Sequence, residues 1–397
     1  MKVGLVRCAG VGALWRWVIA LLTGLIVAAL CAEGLLRLAG LGWPSYYGWD
    51  DEVGSVLRPN VSFVYDLEGM GHVRTNSRGL RDGEHDLSKP ERTWRIAVLG
   101  DSMAEALQVD ADQTFWSQLE GDLSTCPELA GSEIEAINFG VSGHGTAQEL
   151  ITLRKKIWEY EPDMILLAMT NSNDVRNNSS VLEPESRRPF FYRSGNNLVY
   201  DGSFRNQLRP GWQQALVDFA NRTRVGQLGL EVARRLRARS TSNPDGTVVV
   251  GALSEQGVAY ETFRPPQDQA WEEAWWITEQ LISQMHLEVV AEGARFLGVM
   301  IPTGFQVDPR DDVRRRMLED LQVERLDYPE TRMEAFARDQ TIPFQTLLDP
   351  FLSHAKATGV PLFGFGSSLG KGHLNEAGHH LMGQLVATQI CSDFNNS

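Results

Sequence analysis

Four residues far apart in this 397-residue chain are of the types that acyl transfer requires. Ser102 closes a Gly-Asp-Ser turn, and a serine hydroxyl is a weak nucleophile until an adjacent base takes its proton. His373, in Gly-His-Leu-Asn, is suited to that task near neutral pH. The tetrahedral intermediate also needs preorganised donors for its oxyanion, and the Ser102 N–H, the Gly143 N–H and the Asn173 carboxamide can supply three. Taken singly, each residue has an ordinary structural use. Ser102 fits a turn, Asn173 with Asp174 fits a helix cap, and His373 fits a cap for the helix that follows. His144, His379 and His380 read as surface or packing residues, and no spacing suggests a metal or cofactor site.

Residues this scattered can act together only if a scaffold gathers them. Trp94 to Leu99 is an apolar run that stops at Gly100, which reads as a buried strand delivering Ser102 to a tight turn. Thr114 to Leu123 has helical spacing. Ile134 to Phe139 reads as a second strand ending in Gly140-Val141-Ser142-Gly143, a glycine-rich turn that opens a helix and points backbone N–H groups outward. That helix is expected over Ala147 to Tyr160, with Leu150, Leu153, Ile157 and Trp158 on one side. Met164 to Met169 is a third strand running into Thr170 to Asp174. Asp268 to Glu292 is a long helix closed by Gly293, Arg295 to Ile301 and Pro343 to Leu348 are strands four and five, and Asn375 to Ile390 is the last helix. Strands alternating with helices predict an α/β fold with a parallel sheet covered on both faces. Every chemical residue follows a strand or precedes the last helix, so the candidates converge on the carboxyl edge of that sheet.

Between Arg176 and Pro266 the alternation breaks, with a polar and aromatic stretch at Arg187 to Leu208, one or two helices over Trp212 to Arg239, and a loop at Thr241 to Gly246. An insertion leaving the carboxyl end of a strand commonly caps the site below it. Arg234, Arg235, Arg237 and Arg239 suit a solvated helix end better than an anionic polymer. Trp271, Trp275 and Trp276, at helical spacing, suit the core better than a sugar platform.

A formal charge of -14 leaves no basic stripe to neutralise phosphates, which argues against a nucleic-acid partner. Trp17 to Ala32 carries no charge, and the apolar character continues to Leu41, broken only by Glu33 and Arg37, which are spaced to pair on a helix. With Lys2, Arg7 and Arg16 before it, the segment reads as a signal anchor whose amino end is cytoplasmic. A cleaved signal peptide and a lipoprotein cysteine at Cys31 are the other readings. Cys8 and Cys31 lie in or before this segment, leaving Cys126 and Cys391 outside it as a disulfide or as two unrelated thiols. The expected layout is residues 1–41 as stub and anchor, 42–93 as linker and extension, and 94–395 as the main domain with an insertion at about 176–266.

Four segments in order resemble the SGNH or GDSL hydrolases. VLGDSM resembles the first block of that family, with Ser102 as nucleophile, and INFGVSGHGTAQEL the second, with Gly143 as oxyanion donor. LLAMTNSNDVRNN resembles the third, with Asn173, and GHLNEAGHHL the last, with His373 as base. VRTNSRGLRD before the first block is similar to a stretch found in membrane-anchored bacterial members. The resemblance covers about Val73 to Ile390 and implies a three-layer α/β/α, flavodoxin-like fold with about five parallel strands. It implies a serine esterase or O-acyltransferase on the extracytoplasmic side of a membrane, acting on acyl esters such as those of cell-surface polysaccharide and needing no cofactor.

Two positions depart from the family pattern. Asn171 stands where the third block usually begins with glycine. Gly370 and Lys371 stand where an aspartate usually precedes the histidine, so a backbone carbonyl or a distant carboxylate such as Asp349 is expected to orient His373. Loss of that acid can cost about 10⁴ in rate, which opens the alternative of a weak or inactive protein that binds a polysaccharide or an envelope assembly partner.

Overall fold

The computed structural model describes residues 10–208, 211–240, 255 and 257–395. Lys2, Arg7, Cys8 and the loop from Thr241 to Gly246 lie outside the described residues, as do the side chains of Arg237 and Arg239. The chain divides into two compact units, one drawn from residues 1–45 and 209–245, the other from 46–208 and 246–397.

The larger unit is built on five parallel strands: β1 (Thr93–Gly100), β2 (Glu133–Asn138), β3 (Met164–Thr170), β4 (Arg295–Ile301) and β5 (Phe344–Thr346). They pair in the order β2-β1-β3-β4-β5, with Val98 level with both Asn138 and Leu166, and Met300 level with both Met169 and Thr346. Successive side chains leave a strand on opposite faces, so the nearly continuous apolar runs of β1, β3 and β4 fill two cores at once. Ile96, Val98, Leu166 and Val299 pack with helices α1 (Phe115–Leu123), α5 (Leu348–Thr358) and α6 (Glu376–Asn395). Ala97, Leu99, Leu167 and Met300 pack with α2 (Thr146–Lys155), α3 (Gln269–Ala291) and α4 (Tyr328–Gln340). The result is the three-layer α/β/α arrangement with five parallel strands that the sequence predicts. Its strand order reverses direction between β1 and β3, which opens a crevice at their carboxyl ends.

Several elements differ from expectation. The helix expected to reach Tyr160 stops at Lys155, and a separate 3-10 turn over Ile157–Tyr160 buries Ile157 and Tyr160. The Tyr160 carbonyl there accepts the guanidinium of the fully buried Arg95 at 2.5 Å. Within Arg187 to Leu208 the chain forms an antiparallel hairpin, Phe190–Ser194 with Asn197–Asp201, turning at Gly195 with φ +64°. The expected linker holds two more hairpins, Tyr47–Asp50 with Gly54–Leu57 and Ser62–Tyr65 with Gly71–Arg74. Trp271 and Trp275 are buried in the core beside α2, and the Arg332 guanidinium lies 4.7 Å from the Trp275 ring centre.

In the smaller unit, Gly10–Leu38 is one helix, and the most apolar 18-residue window of its Trp15–Leu38 stretch has a mean hydropathy of 2.3 with none of it buried. It is long and apolar enough to cross a membrane. Glu33 and Arg37 pair along it at 2.6 Å. Two further helices, Gly211–Asn221 and Arg224–Ser240, complete this unit.

Cys126 and Cys391 are joined as a disulfide with a Cα separation of 5.9 Å, tying the loop after α1 to α6 across 265 residues. A link that closes so long a loop removes much unfolded-state entropy, so Cys126→Ser should lower unfolding stability by about 2–4 kcal/mol. Urea unfolding of the full chain checks this. Reductant should reproduce the loss in the native protein and add nothing to the variant.

Candidate active site

The end of β1 is clamped before any nucleophile is considered. Asp101 is fully buried, and its Oδ1 accepts the Met103 N–H and the Thr170 hydroxyl, each at 2.9 Å. Its Oδ2 accepts the Asn173 amide at 2.8 Å. One carboxylate therefore caps the Ser102–Glu105 turn of helix and joins the end of β1 to that of β3. Beyond it, the buried Arg81 donates to the carbonyls of Glu105 at 2.6 Å and Val109 at 2.5 Å. The VRTNSRGLRD stretch thus braces the chain leaving Ser102, a role that its polar composition alone does not reveal.

The crevice brings Ser102 to His373. Nε2 of His373 lies 2.9 Å from Ser102 Oγ, across 271 residues. Nδ1 on the other side of the ring lies 2.5 Å from Oε2 of Glu68, and the other oxygen of that carboxylate accepts the His373 N–H at 2.7 Å. Glu68 sits at the tip of the Ser62–Tyr65 and Gly71–Arg74 hairpin, where the Met70 N–H donates to the Gln108 carbonyl at 3.1 Å. The acid is therefore held on the same loop that Arg81 braces. Gly372 has a φ of +81°, which favours glycine, and a Cβ there would lie 2.0 Å from Glu68 Oε1 and push the carboxylate away from its present place. Asp349, the carboxylate expected for this task, is exposed in the first turn of α5; Glu68 occupies the position instead. Glu68 was not recognisable from sequence because it lies far before the first block, in a stretch read as a linker.

Burial alone would lower the pKa of His373. The hydrogen bond and the negative charge of Glu68, with the charges of Asp101 and Glu255, outweigh burial and raise it above the ordinary histidine value. Burial would likewise raise Glu68, but its bonds to His373 hold it below the ordinary carboxylate range. Glu255 is a second carboxylate at the same corner, accepting the Gly372 N–H, and burial raises its pKa.

Gly143 occupies the third position of a turn closed by the His144 N–H donating to the Val141 carbonyl at 3.0 Å, and its φ of +76° is one that such a turn reserves for glycine. The turn is held from two sides. Buried Glu105 accepts the Ser142 N–H at 3.0 Å, the Ser142 hydroxyl and the Tyr47 hydroxyl, while buried Arg188 donates to the Gly143 carbonyl. Just before it, a Cβ on Gly140 would come within 2.6 Å of Ala104 Cβ, so β2 exits in contact with the Ser102 turn. Asn173 reaches the same corner at the start of the Asp174–Asn177 turn, with one amide N–H committed to Asp101.

Asn171 does not crowd this corner. Its amide donates to Gln306 at 2.7 Å and to Glu330 at 2.5 Å, which anchors the loop after β3 to α4. His144 and His379 are buried packing residues. His144 Nε2 is 2.8 Å from the Ser55 carbonyl, His379 Nδ1 accepts the Phe115 N–H at 3.3 Å, and burial pushes both down to about 3, which keeps them neutral. His380 is exposed beside Gln118. Among the described residues, no group of His, Cys, Asp and Glu side chains is arranged to hold a metal ion.

The chain matches no family model and no curated protein sequence. Solved structures do resemble it. It is similar to a lipase/acylhydrolase from Enterococcus faecalis at 11% identity, covering 76% of this chain and 97% of that one with a TM-score of 0.35. It is similar to an acetyl xylan esterase at 12% identity, covering 75% and 98% with a TM-score of 0.37. It is also similar to a catalytic mutant of an acetylxylan esterase from Geobacillus stearothermophilus at 12% identity, covering 75% and 94% with a TM-score of 0.36. Similarity at that level says nothing about chemistry, which has to be argued from the distances above.

The pairing of His373 with Glu68 has a measurable consequence. Removing the charge takes away the largest influence that opposes burial, so Glu68→Gln should lower the titration midpoint of His373. NMR titration of the His373 ring checks this. Asp349→Asn should leave the midpoint where it is.

Proposed function

We propose that this chain is a serine esterase or O-acyltransferase of the SGNH type, forming an acyl-enzyme at Ser102. The observation that carries the reading is the unbroken line of contacts from Glu68 through His373 to Ser102 Oγ, at 2.5 and 2.9 Å. In this reading, neutral His373 accepts the Ser102 proton at Nε2 as Oγ attacks the acyl carbonyl. Glu68 keeps the other ring nitrogen protonated and stabilises the imidazolium. The tetrahedral oxyanion is received by the Ser102 and Gly143 N–H groups and by the Asn173 amide N–H not used by Asp101, each such donor being worth about 2.7–4 kcal/mol. His373 then protonates the departing alcohol oxygen, and the acyl group stays on Ser102. Water, or a sugar hydroxyl in transfer, attacks that ester as His373 removes its proton, and Ser102 recovers its own.

The weak-or-inactive alternative arose from the lack of an aspartate before His373 and from the long insertion, and the Glu68 carboxylate beside His373 supports the active reading over it. The catalytic region in this reading is 94–395 together with the hairpin that carries Glu68. We further assign the Trp15–Leu38 helix as a membrane anchor with the catalytic unit on the extracytoplasmic side, where esters of surface carbohydrate are the accessible substrate class. The Cys126–Cys391 disulfide supports an oxidising compartment of that kind.

The full chain in detergent should react with a fluorophosphonate probe and hydrolyse an aryl acetate. Ser102→Ala should abolish both, and Glu68→Ala should lower hydrolysis by about 10²–10⁴ through loss of histidine orientation. Equal probe labelling of native protein and Ser102→Ala would remove Ser102 from the mechanism.

A further inference from the structure

The smaller unit presents a surface that this chemistry leaves unused. Its helices Gly211–Asn221 and Arg224–Ser240 are joined by a short turn in which Thr223 caps the second helix, its hydroxyl accepting the Gly226 N–H at 3.1 Å. A Cβ on Gly226 would lie 2.1 Å from the Ala220 carbonyl oxygen, so the two backbones touch at the turn.

That turn is fastened to the end of the N-terminal helix. Glu33 accepts the Val225 N–H at 3.0 Å, and Arg37 donates to the Arg222 carbonyl at 3.4 Å. Asn221 accepts the Ser45 N–H at 2.7 Å and donates to the Ser45 carbonyl at 3.0 Å, and Gln227 accepts the Trp43 N–H at 3.1 Å. Glu33 and Arg37 belong to the last turns of the Trp15–Leu38 stretch, so the helical pair is held where a spanning helix leaves the hydrocarbon.

The outer side of the pair is apolar. Trp212, Leu216 and Phe219 recur at the spacing of one helical face and are 65%, 59% and 67% exposed. Leu228, Val232 and Leu236 do the same on the second helix and are also exposed. Six large apolar side chains on two adjoining helices form a patch of the kind that marks an interaction site. Trp and Phe among leucines, with Arg222, Arg234 and Arg235 exposed nearby, is the composition of helices that lie in a membrane interface.

We propose that this helical pair rests in the interface of the same membrane that the N-terminal helix crosses, its apolar stripe sunk about 5–10 Å into the boundary of headgroups and acyl chains. The inference rests on the anchor reading above. The occupant of the stripe is lipid because the pair is continuous with a helix whose own exposed surface is lipid-facing in that reading. Arg222 then meets lipid phosphates, as do Arg234 and Arg235 from their places on either side of Glu231, which pairs with both, and the chain is attached at two places instead of by a single spanning helix.

Spin labels test this in the full chain, reconstituted in phosphatidylethanolamine–phosphatidylglycerol vesicles. Cys8 and Cys31 are replaced by serine, and single cysteines are introduced as Leu216→Cys, Phe219→Cys, Leu236→Cys, Arg234→Cys and, within the spanning helix, Leu25→Cys. Labels at 216, 219 and 236 should be relaxed several-fold more by oxygen than by a water-soluble nickel chelate, as the label at 25 is, while the label at 234 should show the reverse. Fluorophosphonate labelling of each variant reports that the fold is intact. Nickel-accessible labels at 216, 219 and 236 beside an oxygen-accessible label at 25 would overturn the interfacial placement and leave the anchor standing. Labels at 216, 219 and 236 reached by neither relaxant would overturn it in favour of a protein contact. An oxygen-inaccessible label at 25 would overturn the anchor reading and this inference together.

Discussion

The contact between Glu68 and His373 is the constraint on which the rest of the site depends. It spans 305 residues, joining a hairpin near the start of the larger unit to the residue just before its last helix. A partly buried histidine with no acid beside it would favour the neutral ring in either tautomer, and nothing would direct Nε2 toward a serine. A carboxylate that accepts both the ring N–H and the backbone N–H of the same residue fixes the ring and its tautomer together. Gly372, with a φ of +81°, leaves room for that carboxylate.

The other side of the crevice is positioned by buried acids as well. Asp101 satisfies three donors from two strands' ends and from Asn173, so the turn bearing Ser102 and the Asn173 carboxamide are tied together. Glu105 holds the Ser142–Gly143 turn through the N–H and the hydroxyl of Ser142 and joins it to the Tyr47 hydroxyl. Buried polar groups are costly unless bonded, and these two carboxylates are bonded to Asn173 itself and to the turns that carry Ser102 and Gly143. Preorganisation of this kind is what makes backbone donors effective in a low-dielectric site.

Much of the scaffold was legible from periodicity. The runs of β1, β3 and β4 are apolar at consecutive positions because both faces of the sheet are covered, and their ends coincide with glycine, asparagine and serine. The break at Lys155 escaped notice because Ile157 and Tyr160 keep the apolar spacing while a 3-10 turn replaces the helix. The hairpin at Phe190–Ser194 had a local signal in Gly195-Asn196, but its flanking residues do not alternate cleanly between apolar and polar.

The residues able to do chemistry, the strands that carry them and the apolar first helix are local properties, written in residue type and spacing. Sequence alone determined those, because propensity and periodicity act over a few turns of chain. Which acid serves His373, what Asn171 binds, and whether Cys126 meets Cys391 depend on contacts between segments tens to hundreds of residues apart. Only packing of the whole unit decides such contacts, since a hairpin tip such as Glu68 has no periodicity to announce what it will touch.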